Sequence, residues 1–118
     1  MVFGHYFSID LEHADLDKIS SMRNVANYYV ELLIKLNMKN HKMLMDRYGD
    51  DSVYGITLIA MIDLSSISIH CVENDETNAK CYIDIFTCGE IDRSKCIAVT
   101  KLFFGTEETL IKTNYKIR

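Results

Sequence analysis

Residues 54–88 hold three β-type runs, YGITLIAMI, SISIH and KCYIDIFTC, with only DLS and CVENDETNA between them. A parallel crossover needs a dozen or more residues, so gaps this short make neighbouring strands antiparallel. The third run alternates Cys81, Ile83, Ile85 and Thr87 with Tyr82, Asp84, Phe86 and Cys88, the period-two pattern of a strand with two unlike faces. The first run is apolar on both parities, since Leu58 and Ile62 alternate with Ile59 and Met61. Both faces of that strand therefore seek cover.

The rest of the chain fits around this centre. HYFSIDL (5–11) alternates as a strand, and HKMLMDRY (41–48) and ETLIKTNYKI (108–117) read as two more. Residues 13–38 place Ile19, Met22, Val25, Ala26, Tyr29, Leu32, Leu33 and Leu36 at spacings of three and four, which predicts one long helix with Asp15 or Asp17 at its start. DRSKCIAVTKLFF (92–104) predicts a second, capped by Asp92, with Gly105 just past its end. The order β-α-β-β-β-β-α-β gives an α+β two-layer sandwich in a single domain over residues 1–118, an antiparallel sheet covered on one face by two helices. The other face needs a partner, and a second copy of the chain is the simplest, so a homodimer is expected.

Composition narrows the function classes. A net charge of −4 over 118 residues lacks the basic footprint of a nucleic-acid binder. No stretch approaches the roughly 20 apolar residues of a membrane span, and MVFGHYFSIDLE has no basic segment leading into an apolar run. A cytoplasmic chain with reduced Cys71, Cys81, Cys88 and Cys96 is expected. Their spacing matches no zinc pattern, so no metal is expected. Three of the four read as small buried hydrophobes; Cys88 is the exception.

YGITLIAMIDLSSISIH is similar, without a gap, to the segment G-V-S/T-G-x-x-x-I-x-E-S-H-L-S-I-H of the small S-adenosylmethionine decarboxylases. CYIDIFTCGEIDRSK resembles that family's D-x-F-T-C-G block and the helix start after it, and FGHYFSIDLEHAD resembles its F-G-x-H-L-x-x-D-L opening. The three blocks come in the family's order and cover about half the chain. The resemblance implies a pyruvoyl-dependent decarboxylase of polyamine biosynthesis acting on S-adenosylmethionine. In this family an internal serine breaks its own peptide bond to make the cofactor, and the matching residue is Ser65, with cleavage between 64 and 65. The resulting ketone takes up the substrate amine as a Schiff base and acts as an electron sink. His70 and Thr57 fall on positions that assist self-processing, and Cys88 on the cysteine that reprotonates the decarboxylated carbon. Glu73 lies near the acidic residue that touches the ribose. Taken singly, these residues read as packing or surface positions; their joint pattern is what points to chemistry.

The departures from the pattern are local. Leu64 stands where the family has glutamate, Ser66 where it has histidine, and CVEN (71–74) where it has T-W-P-E. The upstream segment that helps hold adenine is replaced by DRYGDD (46–51), and Arg47, Tyr48 and the nearby Tyr54 are expected to substitute for it. Three readings stay open: decarboxylation of S-adenosylmethionine, decarboxylation of ornithine or arginine, or an unprocessed, inactive homologue that binds or regulates. Alternation puts Ser66, Ser68 and His70 on one parity and Ser65 on the other. A bend is therefore expected at Leu64–Ser65, with His70 reaching across to it.

Overall fold

The computed structural model describes residues 3–118. Strand β1 (His5–Glu12) leads into helices α1 (Leu16–Ile19) and α2 (Met22–Leu36). Four strands follow: β2 (Asn40–Gly49), β3 (Tyr54–Ile62), β4 (Ser65–Val72) and β5 (Lys80–Thr87). Helix α3 (Arg93–Phe104) and strand β6 (Leu110–Ile117) complete the order. All six strands form one antiparallel sheet in the order β2-β3-β4-β5-β1-β6. The β2–β5 meander is the part expected from short gaps. The two chain-end strands lie together beyond β5, with β1 placed between β5 and β6.

The long helix expected over 13–38 is two helices. Ser20 and Ser21 interrupt it, because serine side chains offer the backbone non-helical partners. Ser20 Oγ donates to Leu16 O, and Ser21, in extended conformation, caps α2 by accepting Asn24 N–H at 3.1 Å. Asp15 caps α1, accepting Lys18 N–H at 3.3 Å, and Asp92 caps α3, accepting Lys95 N–H at 3.2 Å. Gly105 does follow α3, but its φ of −94° asks for no left-handed freedom.

The helices cover one sheet face. Val25, Tyr28 and Leu32 of α2 and Cys96, Val99 and Phe104 of α3 are buried, as are Phe7, Ile9, Leu58, Ile62, Ile67, Ile69, Ile83 and Ile85 of the sheet. Burial of this apolar surface drives the two layers together. Tyr28 is wholly buried, and its hydroxyl meets Thr100 Oγ1 at 2.8 Å, so the core contains no stranded phenol. Among the described residues no layer covers the other face. Ile59 and Met61 lie there more than half exposed, beside Thr57, Ser66, Ser68, His70, Tyr82, Asp84 and Phe86 of the same parity.

At Gly55 the backbone of β3 lies against that of β4 with no room for a side chain. A Cβ on it would lie 1.7 Å from Cys71 O. Gly55→Ala is expected to force the strands apart and to cost about 1–3 kcal/mol, the usual range for overpacking, read as a lower urea midpoint. An unchanged midpoint would show that the strands separate freely here.

Candidate active site

The expected bend at Leu64–Ser65 is a two-residue turn. Asp63 and Leu64 join β3 to β4, Ile62 pairs with Ser65, and Asp63 carries a positive φ of 39°. Asp63 tolerates that conformation as few residues besides glycine and asparagine do. Its carboxylate also accepts Lys39 N–H at 3.1 Å, tying the turn to the segment before β2. Leu64 is 83% exposed.

Cys88 faces this turn. Ser66 pairs with Phe86, and extending that register by two residues sets Cys88 opposite Leu64. The thiol of Cys88 donates to Leu64 O at 3.1 Å. The acceptor is the carbonyl of the Leu64–Ser65 peptide, the bond singled out from the sequence. Thr87 helps fix the cysteine, since its hydroxyl donates to Gly89 O and curls the chain at the end of β5. Of the four cysteines only Cys88 is exposed. Burial pushes the Cys96 thiol up to about 12, and Cys81 is raised by its hydrogen bond to Cys71 and by burial. These three behave as core residues.

His70 and Thr57 form a second pair. They oppose each other across β3 and β4, with Thr57 Oγ1 3.2 Å from His70 Nδ1. The expectation that His70 reaches Ser65 is not met within one chain. β4 is continuously paired from Ser65 to Val72, so five residues of strand separate the two, roughly 16 Å at a rise of about 3.3 Å each.

Glu73, Tyr48 and Tyr54 lie at the His70 end, farther still from Ser65. Glu73 is buried, and both its oxygens accept from Arg47 Nη1, at 2.8 and 3.1 Å. Its amide donates to Tyr54 O at 2.9 Å. Arg47 also donates to Ser20 O, so this ion pair fastens the sheet end to the α1–α2 junction. Tyr48 passes over Gly55 and donates its hydroxyl to Cys71 O at 3.0 Å.

Between the two groups runs a feature that local sequence does not reveal. Tyr6 donates to Asp84 Oδ1, and Ser68 Oγ lies 3.5 Å from Asp84 Oδ2. The hydrogen bond to Asp84 and partial burial raise the Tyr6 phenol, which keeps it a donor. These residues, with Ile59, Ser66 and Phe86, line a cleft of about 370 Å3 on the open sheet face. A larger groove of about 560 Å3 between α2 and α3 shares none of these residues. Among the described residues no helix is long and apolar enough to cross a membrane.

The family model described as S-adenosylmethionine decarboxylase matches residues 5–115. No curated protein matches the chain. The adenosylmethionine decarboxylase of Aquifex aeolicus superposes with a TM-score of 0.74 at 16% identity, over 96% of this chain and 89% of that one. The Trypanosoma brucei AdoMetDC-delta26 monomer superposes with a TM-score of 0.51 at 15% identity, over 91% of this chain and 44% of that one. At these identities the two structures speak for the fold.

Proposed function

Since the chain belongs to the S-adenosylmethionine decarboxylase family, we propose that it is a carboxy-lyase of polyamine biosynthesis that cleaves itself between Leu64 and Ser65 and then decarboxylates S-adenosylmethionine. The observation that carries this reading is the Cys88 thiol on the carbonyl oxygen of that peptide bond. A donor aimed there stabilises the charge that develops when the carbonyl is attacked.

The chain's own residues account for the cleavage. Ser65 Oγ attacks the Leu64 carbonyl carbon and closes a five-membered ring. Collapse breaks the C–N bond and leaves Leu64 as an ester on Ser65 Oγ. Removal of the Ser65 Cα proton expels the Leu64 carboxylate. Water then hydrolyses the dehydroalanine to a terminal ketone and ammonia. The exposed Leu64 lets the new chain end swing clear. The pyruvoyl group so formed supplies a carbonyl for the substrate amine and a sink for the electron pair left by carbon dioxide. Cys88, already beside that position, returns a proton to the product carbon.

The base that takes the Cα proton is His70, held by Thr57 through Nδ1. Because His70 lies roughly 16 Å along the strand from its own Ser65, it acts on the Ser65 of a second copy. Two open sheet faces packed together cover Ile59 and Met61 and bring the Ser65–Cys88 end of one chain to the Thr57–His70 end of the other. In that homodimer Tyr48 and Tyr54 flank the substrate from the His70 side. Glu73, engaged by Arg47, holds the loop after β4 and contacts substrate only if that pair opens. The free thiol that this chemistry asks of Cys88 calls for a reducing, cytoplasmic setting.

Carbon dioxide release tests the substrate. Purified protein is expected to release it from S-adenosylmethionine and not from ornithine or arginine. Release only from ornithine or arginine would reassign the substrate while keeping the chemistry.

A further inference from the structure

β2 is an edge strand of the sheet, and its outer edge is distinct from the open sheet face. Asp50 N–H donates to Val53 O at 2.9 Å, which sets the phase of the β2–β3 ladder. In that phase the even-numbered residues of β2 exchange hydrogen bonds with β3, and the odd-numbered amides point away. Arg47 N–H is closed off locally by Asp46 Oδ1 at 2.8 Å, and the register is irregular between Asn40 and Lys42. Met43 and Met45 are left with outward amides and carbonyls in a strand that is otherwise regular. Leu44 between them is 73% exposed and Met43 39% exposed. An apolar edge with free hydrogen-bonding groups is a template for another strand.

We propose that this edge pairs antiparallel with β2 of a second copy about a two-fold axis through Leu44. Charge selects that axis. With Leu44 opposite its own copy, Lys42 of each chain faces Asp46 of the other, on both sides of the Leu44 pair. On the helix side Met43 faces Met45 twice, and each such pair exchanges two backbone hydrogen bonds. An axis at Met45 would set Leu44 against Asp46 and Met43 against Arg47. An axis at Met43 would set Asp46 against Asn40 and leave Lys42 against Leu44. Only the Leu44 axis matches both the charges and the free amides, and directly opposed unlike charges favour a pairing that like charges disfavour. The side chain of Arg47 is held inward by Glu73 and does not oppose Lys42.

The test is the mass in solution by light scattering at micromolar concentration, with amide exchange at Met43 and Met45. Lys42→Asp alone and Asp46→Lys alone set like charges against each other, and each is expected to halve the mass of the wild-type assembly. The double variant Lys42→Asp with Asp46→Lys restores opposite charges and is expected to regain the full mass. The two methionine amides should be protected in the wild type and the double variant and exchange freely in the single ones, with circular dichroism unchanged throughout. Single variants that keep the wild-type mass, or a double variant that fails to regain it, would overturn the proposal. Phe86→Arg, on the open face, separates the two surfaces: it breaks the face-to-face association and leaves the response to charge reversal in place.

Discussion

Chains carrying Ser65→Ala and chains carrying His70→Ala are each expected to stay uncleaved when made alone, and to yield cleaved product when made together. The His70→Ala chain keeps its Ser65 and Cys88, and the Ser65→Ala chain brings the missing imidazole. Loss of a general base typically costs 10²–10⁴-fold in rate, so the single variants should show almost no fragments over the time in which the mixture does. One continuously paired strand holds Ser65 and His70 apart, so a histidine that serves Ser65 belongs to another copy. Fragments that all carry His70→Ala, appearing only on mixing, are the signature. A His70→Ala chain that cleaves by itself at the normal rate would show that the imidazole has no part in the step.

Cys88→Ala is expected to slow the appearance of fragments by about 10²–10³-fold, the usual consequence of losing one donor to a developing oxyanion. Cys88→Ser keeps a hydroxyl donor within reach of Leu64 O and should cleave at a rate near the wild type. Its turnover should still fall, because a hydroxyl gives up a proton near neutral pH far less readily than a thiol. The two variants therefore divide the two roles of one side chain: alanine disables cleavage and turnover, serine only turnover. Equal cleavage rates in wild type and Cys88→Ala, measured as the half-time of fragment formation, would mean that the 3.1 Å contact is structural.

The sheet was readable because its central strands carry their pattern locally. Ile67, Ile69, Cys81, Ile83 and Ile85 alternate with polar neighbours, and in the structure they are the buried set. The insertion of β1 between β5 and β6 was not readable, since it depends on pairings such as Ile9 with Ile83 and Thr113, far apart in sequence. The break at Ser20–Ser21 was missed because the apolar spacing runs straight through it, and helical spacing alone does not register a cap in its middle. For the site, family resemblance brought out Ser65 and Cys88, and the contact of Cys88 with the Leu64 carbonyl follows only from the β4–β5 register. The same register separates Ser65 from His70, which no local pattern could show. Glu73 is singled out only by its nearness to the family's ribose-contacting acidic residue; its hold on Arg47 joins residues 26 apart. Asp84 stands out in the sequence only as one member of an alternating strand, and its bond to Tyr6 across 78 residues makes it an anchor of the open face.

The central claim is that the Leu64–Ser65 bond breaks itself, and the intact mass of the purified protein tests it most directly. The wild type should give two chains, 1–64 and 65–118, with the second blocked at its first residue, while Ser65→Ala gives one chain and Ser66→Ala gives the same pair as the wild type. A wild type that remains a single chain of 13.6 kDa and releases carbon dioxide from none of the three amino acids would contradict the account and leave a binding or regulatory homologue in its place.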